Sequence, residues 1–274
     1  MRRLAKSSDG RILIGDETGY VPLESADPAI DNLESALAAA ASDGLPDPSD
    51  ARASPIPESD LQLVSPLPTG KKLWGIGLNY AEHAADLHEQ RPEEPASFLK
   101  PATAATGPGG PIRLPPTSIS DGVTAEGELA VVIGRTCKDV DIEEVDDVIA
   151  GYVPVIDMTA EDILRRNPRF LTRSKSFDTF IVFGTSIVVD PPRRPLEKLE
   201  VRTVINEEVI ARNHISNMLF PPAELVAFHS RVMTLEPGDI ISTGTPGAGH
   251  IDPGDTVRTE IDEIGTVSAP VVRP

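Results

Sequence analysis

The chain has 274 residues, 39% hydrophobic and 25% charged, with 25 basic against 43 acidic side chains and a formal net charge of −18. That length supports a large core, while a field of that sign repels nucleic-acid phosphates and anionic membrane surfaces and excludes both as partners. Lysine is scarce, seven against eighteen arginines, and an acidic, lysine-poor surface suits a protein kept soluble at high salt, where screening removes self-repulsion. The single cysteine, Cys137, rules out an intramolecular disulfide. The N-terminus, MRRLAKSSDG, has no apolar leader and no apolar run reaches membrane-spanning length, so a cytoplasmic protein is expected.

In chain order, the runs at 11–14 and 19–23 predict a small hairpin, and Ile30, Leu33 and Leu37 predict a helix over 27–42. Residues 43–60 are rich in Pro, Asp and Ser, as a linker is. The expected organisation is therefore a small N-terminal α+β segment with its linker over 1–60 and a catalytic domain over 61–274. In the second part, strands are predicted at 73–78, 128–134, 148–157, 179–189, 200–206 and 239–244. One helix is expected to start at Thr159, capped by the box Thr159-Ala-Glu-Asp162, and another to cover 222–233. The spacing does not repeat as βαβ units, which favours a strand-dominated α+β fold.

Glu126 and Glu128, one residue apart on a strand, point to one face, roughly 6–7 Å apart. Asp157 closes the next strand and can complete an oxygen-only cluster, the donor set that Mg²⁺ or Mn²⁺ prefers. On spacing alone, solvent-facing acids at strand ends are the alternative. His83 precedes Asp86 by three residues, so on a helical turn the carboxylate can orient the imidazole as a general base. Lys175 can supply the positive charge that an anionic substrate needs. Trp74 and Phe98 read as packing residues beside the site. The glycine-rich turn Thr243–Gly249 can present N–H groups and hydroxyls to an anion, and no Lys-Ser or Lys-Thr follows it, which excludes a P-loop.

Six blocks in order, GIGLNYAEHA, FLKPATAATGPGGPI, EGELAVVIG, GYVPVIDMTAED, RSKSFDTF and PGDIISTGTPGAG, resemble the fumarylacetoacetate hydrolase family from about residue 70 to 272. The resemblance implies a mixed β-roll catalytic domain with a small N-terminal domain, usually homodimeric. It implies a divalent cation, Mg²⁺ or Mn²⁺, on Glu126, Glu128 and Asp157, a base dyad at His83 and Asp86, and a site lysine at Lys175. It also implies substrate-binding groups at Asn79, Tyr80, Lys100, Thr243, Gly244 and Thr245. Family members act on 2-oxo acids, often 2,4-dioxo acids, through an enolate that the cation stabilises. The first expectation is hydrolysis of a C–C bond in an acylpyruvate-type substrate. The substrate shell departs from the family pattern, with Glu161 in place of an arginine and Leu164 and Ala211 in place of glutamines. Dehydration of a 2-keto-3-deoxy sugar acid, decarboxylation of oxaloacetate, isomerisation of a hydroxyheptadienedioate and a catalytically silent member therefore stay open.

Overall fold

The computed structural model describes residues 1–16, 18–67, 70–81 and 92–274. Its β-branched and apolar runs become strands, and their period-two alternation decides which face each one buries. β1 (Arg3–Ser7), β2 (Ile12–Asp16) and β3 (Gly19–Pro22) form an antiparallel meander that contains the expected hairpin. The helix expected over 27–42 is confined to α2 (Leu33–Ala40), and a separate short helix, α1 (Leu23–Ala26), precedes it. Side-chain capping sets the break. Asp27 accepts the Ala29 N–H beyond α1, and Asn32 accepts the Ser35 N–H to start α2.

β4 (Leu73–Gly77), β5 (Ala96–Lys100), β6 (Val123–Ile133) and β7 (Ile149–Ala160) supply the centre of the larger sheet. The strand expected at 179–189 is split into β8 (Ile181–Phe183) and β9 (Ser186–Val188). Both pair with β7, on either side of Pro154, which has no N–H to donate; Gly184 instead donates its own N–H to the Pro154 carbonyl at 3.0 Å. β10 (Glu200–Ile205), β11 (Glu208–His214), β12 (Ile240–Ser242), β13 (Ala248–His250), β14 (Thr256–Ile261) and β15 (Gly265–Val272) complete the long strands. The helices α3 (Glu161–Arg166), α4 (Leu171–Lys175) and α5 (Pro222–Val232) interrupt them.

The larger sheet runs β3-β2-β1-β9-β7-β6-β12-β4-β5, and the smaller runs β11-β10-β14-β15 to a short pairing at Ile112–Arg113. Most pairings are antiparallel; β12 with β4 is parallel. The N-terminal strands form one end of the larger sheet with β3 at its edge, since β1 pairs with β9, and Leu4, Ile14 and Leu37 share one core cluster with Leu73, Ala130 and Val153. The smaller sheet covers the β6–β7 pair. Ile156 and Met158 of β7 pack with Val257 and Val267 across the layer, and Thr259 donates to the Val155 carbonyl at 2.8 Å. Burying these apolar faces against each other is the main stabilising term. No helix among the described residues is long and apolar enough to cross a membrane.

Candidate active site

The β6–β7 register assembles the acids. Asp157 lies directly opposite Glu126, and Val155 opposite Glu128, so all three carboxylates leave the same face of one antiparallel pair. Ligand oxygens from Glu126, Glu128 and Asp157 lie within 4.8 Å of one another. Gly127, between the two glutamates, points to the opposite face and meets the smaller sheet. A Cβ there would stand 2.8 Å from the Arg202 carbonyl oxygen, and the Gly127 N–H donates to Thr203 Oγ1 at 2.9 Å. The Glu-Gly-Glu spacing therefore serves two faces at once: acids toward the site, and a close sheet-on-sheet approach behind it.

Each carboxylate has its own support. Glu128 is fully buried; its Oε2 accepts the Ser242 hydroxyl and, at 3.0 Å, the Gly244 N–H. Gly244 reaches that position with φ +93°, where a Cβ would also meet the Asn79 side chain at 2.8 Å. Glu126 accepts the Thr159 hydroxyl on Oε1 and the Lys175 ammonium on Oε2 at 2.9 Å. The helix cap expected at Thr159 does not form. Thr159 instead belongs to β7, two residues after Asp157 and on the same face, and its hydroxyl is drawn to a carboxylate rather than to a helix N–H. Asp157 sits between two ammonium groups, with Lys100 Nζ 2.6 Å from Oδ1 and Lys175 Nζ 3.5 Å from Oδ2. Among the described residues, neither Asp157 oxygen has a hydrogen bond of sound geometry, though both are buried.

Burial dominates the electrostatics. It pushes the Glu128 carboxyl up to about 8, with Asp157 and Glu126 adding repulsion. It raises Asp157 as well, against the pull of the two lysines. Burial lowers Lys100. It also works against Lys175, but Asp157, Glu126 and Glu128 outweigh it and hold that ammonium above its ordinary range. With all three acids ionised, as a bound cation would require, the two ammonium groups leave one net negative charge in a water-poor site. Asp157 oxygens held by ion-pair contacts alone among the described residues, an all-oxygen donor set and that residual charge fit a hard divalent cation on Glu126, Glu128 and Asp157.

The expected substrate-binding residues lie close by, with most of their polar groups engaged inside the protein. Asn79 donates to the Phe220 and Thr243 carbonyls at 3.0 and 2.7 Å and accepts the Phe220 N–H at 2.9 Å, stapling two loops. Tyr80 packs in the core with Leu129, Val201 and Ile215, and its buried hydroxyl has no hydrogen-bond partner among the described residues. Thr243 donates to the Leu129 carbonyl at 2.9 Å, and Thr245 to the Gly247 carbonyl at 2.8 Å. The Gly244 N–H serves Glu128 and Lys100 serves Asp157. His83 and Asp86 lie outside the described residues.

Sequence reasoning misses Ser242, reads Thr159 as a helix cap and reads Phe98 only as packing beside the site. Thr159 is recoverable from strand periodicity, two residues on from Asp157. Phe98 does more than pack: its ring lies 5.1 Å from Lys175 Nζ and 5.9 Å from Lys100 Nζ, close enough for the aromatic face to stabilise both cations. A cavity of about 830 Å³ bordered by Arg135, Tyr152, Pro191 and Leu196 includes none of Glu126, Glu128 and Asp157.

Residues 72–272 match the family described as fumarylacetoacetate (FAA) hydrolase C-terminal. Among similar proteins, the mitochondrial oxaloacetate tautomerase fahd2 of Xenopus laevis is 35% identical over 223 residues, 78% of this chain and 69% of that protein. The crystal structure of 2-hydroxyhepta-2,4-diene-1,7-dioate isomerase from Mycobacterium marinum superposes with a TM-score of 0.79 at 36% identity, covering 100% of this chain and 99% of that one. The maleylpyruvate hydrolase of Sphingobium sp. SYK-6, solved with manganese(II) and pyruvate, gives a TM-score of 0.78 at 30% identity, covering 99% of both chains.

Proposed function

Because the chain belongs to the fumarylacetoacetate hydrolase family, we propose that it is a divalent-metal-dependent enzyme that hydrolyses a C–C bond of an acylpyruvate-type 2,4-dioxo acid. The observation that carries this reading is the buried Glu126, Glu128 and Asp157 cluster, its Asp157 carboxylate held between the Lys100 and Lys175 ammonium groups. The cation, when bound, supplies charge neutralisation for a 2-oxo acid head and electrostatic stabilisation of an enolate.

The chain's own residues supply the rest. Lys175, whose ammonium is held charged by its carboxylate neighbours, acts as a fixed positive charge and not as a base. It can stabilise negative charge that develops beside Glu126 and Asp157. Ser242 and Gly244 hold Glu128, and Thr159 holds Glu126, so the acids are aligned before substrate arrives. In this reading His83, oriented by Asp86, takes a proton from the attacking water, and the hydroxide adds to the distal carbonyl. The C–C bond then breaks, and the enolate of the 2-oxo acid is protonated to give the second product. The similarity to a maleylpyruvate hydrolase that was solved with manganese and pyruvate supports this version.

A second reading, an isomerase or tautomerase of a related 2-oxo acid, is favoured by the isomerase and the oxaloacetate tautomerase among the similar proteins. It needs enolate formation without hydrolytic water. Incubating the Mn²⁺-loaded protein with 2,4-dioxo acids, oxaloacetate and 2-keto-3-deoxy acids, with products read by NMR, separates the readings. Pyruvate release from a dioxo acid is the expected outcome. Turnover confined to keto–enol or double-bond shifts would transfer the assignment to the second reading. No Mn²⁺-dependent turnover and no thermal stabilisation by Mn²⁺ with oxalate would refute both.

A further inference from the structure

Lys100 has the fullest set of contacts of any charged side chain near the site. It is 4% exposed, and among the described residues its ammonium faces four acceptors and no donor: Asp157 Oδ1 at 2.6 Å, the Phe180 carbonyl at 2.9 Å, the Met158 carbonyl at 3.4 Å and the Lys175 carbonyl. Four acceptors against three N–H bonds define a protonated ammonium with no donor left for a ligand. The acceptors come from three segments: the metal strand β7, the C-terminal end of α4, and the residue that leads into β8. The α4 contact is to the main chain of Lys175, the residue whose own ammonium lies 2.9 Å from Glu126. One buried side chain thus ties the Asp157 carboxylate to the backbone that aims the second lysine.

We propose that Lys100 is a positioning residue: it fixes Asp157 relative to Lys175 before metal and substrate bind, and it does not contact substrate. The inference rests on the metal-dependent reading given above. Two opposing effects make it testable. As a bare charge, Lys100 repels a cation, so its removal would tighten metal binding. As an alignment device, its removal lets Asp157 and the end of α4 shift, and metal binding weakens. Alignment wins because the ammonium is bonded to all three segments, whereas the charge it adds is already partnered by Asp157.

The test uses the full chain with Lys100→Met and Lys100→Gln, Mn²⁺ affinity read by EPR, and steady-state kinetics at saturating Mn²⁺. The expected result is Mn²⁺ binding weakened at least about tenfold, as for other groups that orient metal ligands. kcat should fall while KM stays within about threefold, and Lys100→Gln should recover part of the loss because it keeps a donor. Tighter Mn²⁺ binding, or an unchanged Mn²⁺ affinity with a raised KM, would overturn the proposal. If neither variant folds, reductive methylation of the unmodified protein followed by mass spectrometry decides. Lys100 should stay unlabelled with or without Mn²⁺ and oxalate; labelling that oxalate suppresses would make it a substrate contact instead. A parent protein that binds no Mn²⁺ removes the metal-dependent reading and this inference with it. Normal Mn²⁺ binding in both parent and variants removes only the role of Lys100.

Discussion

Glu128→Gln should make the metal-free protein more stable at neutral pH, by an amount that grows with pH. The Glu128 carboxyl moves from an ordinary 4.5 up to about 8 in the fold. A folded pKa above the unfolded one means that the native state holds the proton more tightly. The associated stability is complete below about pH 4.5 and is lost as pH rises toward about 8. The ceiling on the slope is about 1.4 kcal/mol per pH unit, or roughly 2.5 kcal/mol between about pH 5.5 and 7.5. Asp157 and Glu126 share the same field, so part of that loss is theirs. The glutamine amide has the shape of the protonated acid and never ionises. The variant's stability relative to the parent should therefore rise across that window in EDTA, measured by urea denaturation at several pH values. Saturating Mn²⁺ should abolish the advantage and reverse it, because the ionised carboxylate is what a cation needs. A parent-minus-variant difference that stays flat with pH in EDTA would refute the account of Glu128 as a buried, repelled acid.

Asn79→Ala removes three bonds to the Phe220 and Thr243 backbone in a buried site. It should cost about 2–4 kcal/mol in urea denaturation. Gly75→Ala places a Cβ 2.3 Å from the Phe98 ring, which must shift beneath the two lysines. It should cost about 1–3 kcal/mol, with a lower kcat; unchanged kinetics would detach Phe98 from the site.

Much of the site was legible in the sequence because the chemistry is local in the chain. Glu126 and Glu128 are two residues apart on a strand, and Asp157 lies near the end of the next one, so period two and one antiparallel pairing bring them together. The oxygen-only donor set and the need for a nearby cation followed from residue type. What the chain could not give was register and partner choice. Thr159 fits a capping box as well as a strand position, and only the pairing of β7 with β6 turns its hydroxyl to Glu126. The long strand read at 179–189 is broken by Pro154, a residue of a different strand. Lys100 reads as a candidate substrate ligand until the fold surrounds its ammonium with Asp157 and three carbonyls. Residue type and short-range spacing thus determined an oxygen-only donor set that would suit a hard divalent cation. Long-range packing alone decided which charges face one another in the buried interior, because a side chain's partners there are set by strand register and layer contact and not by its neighbours in the chain.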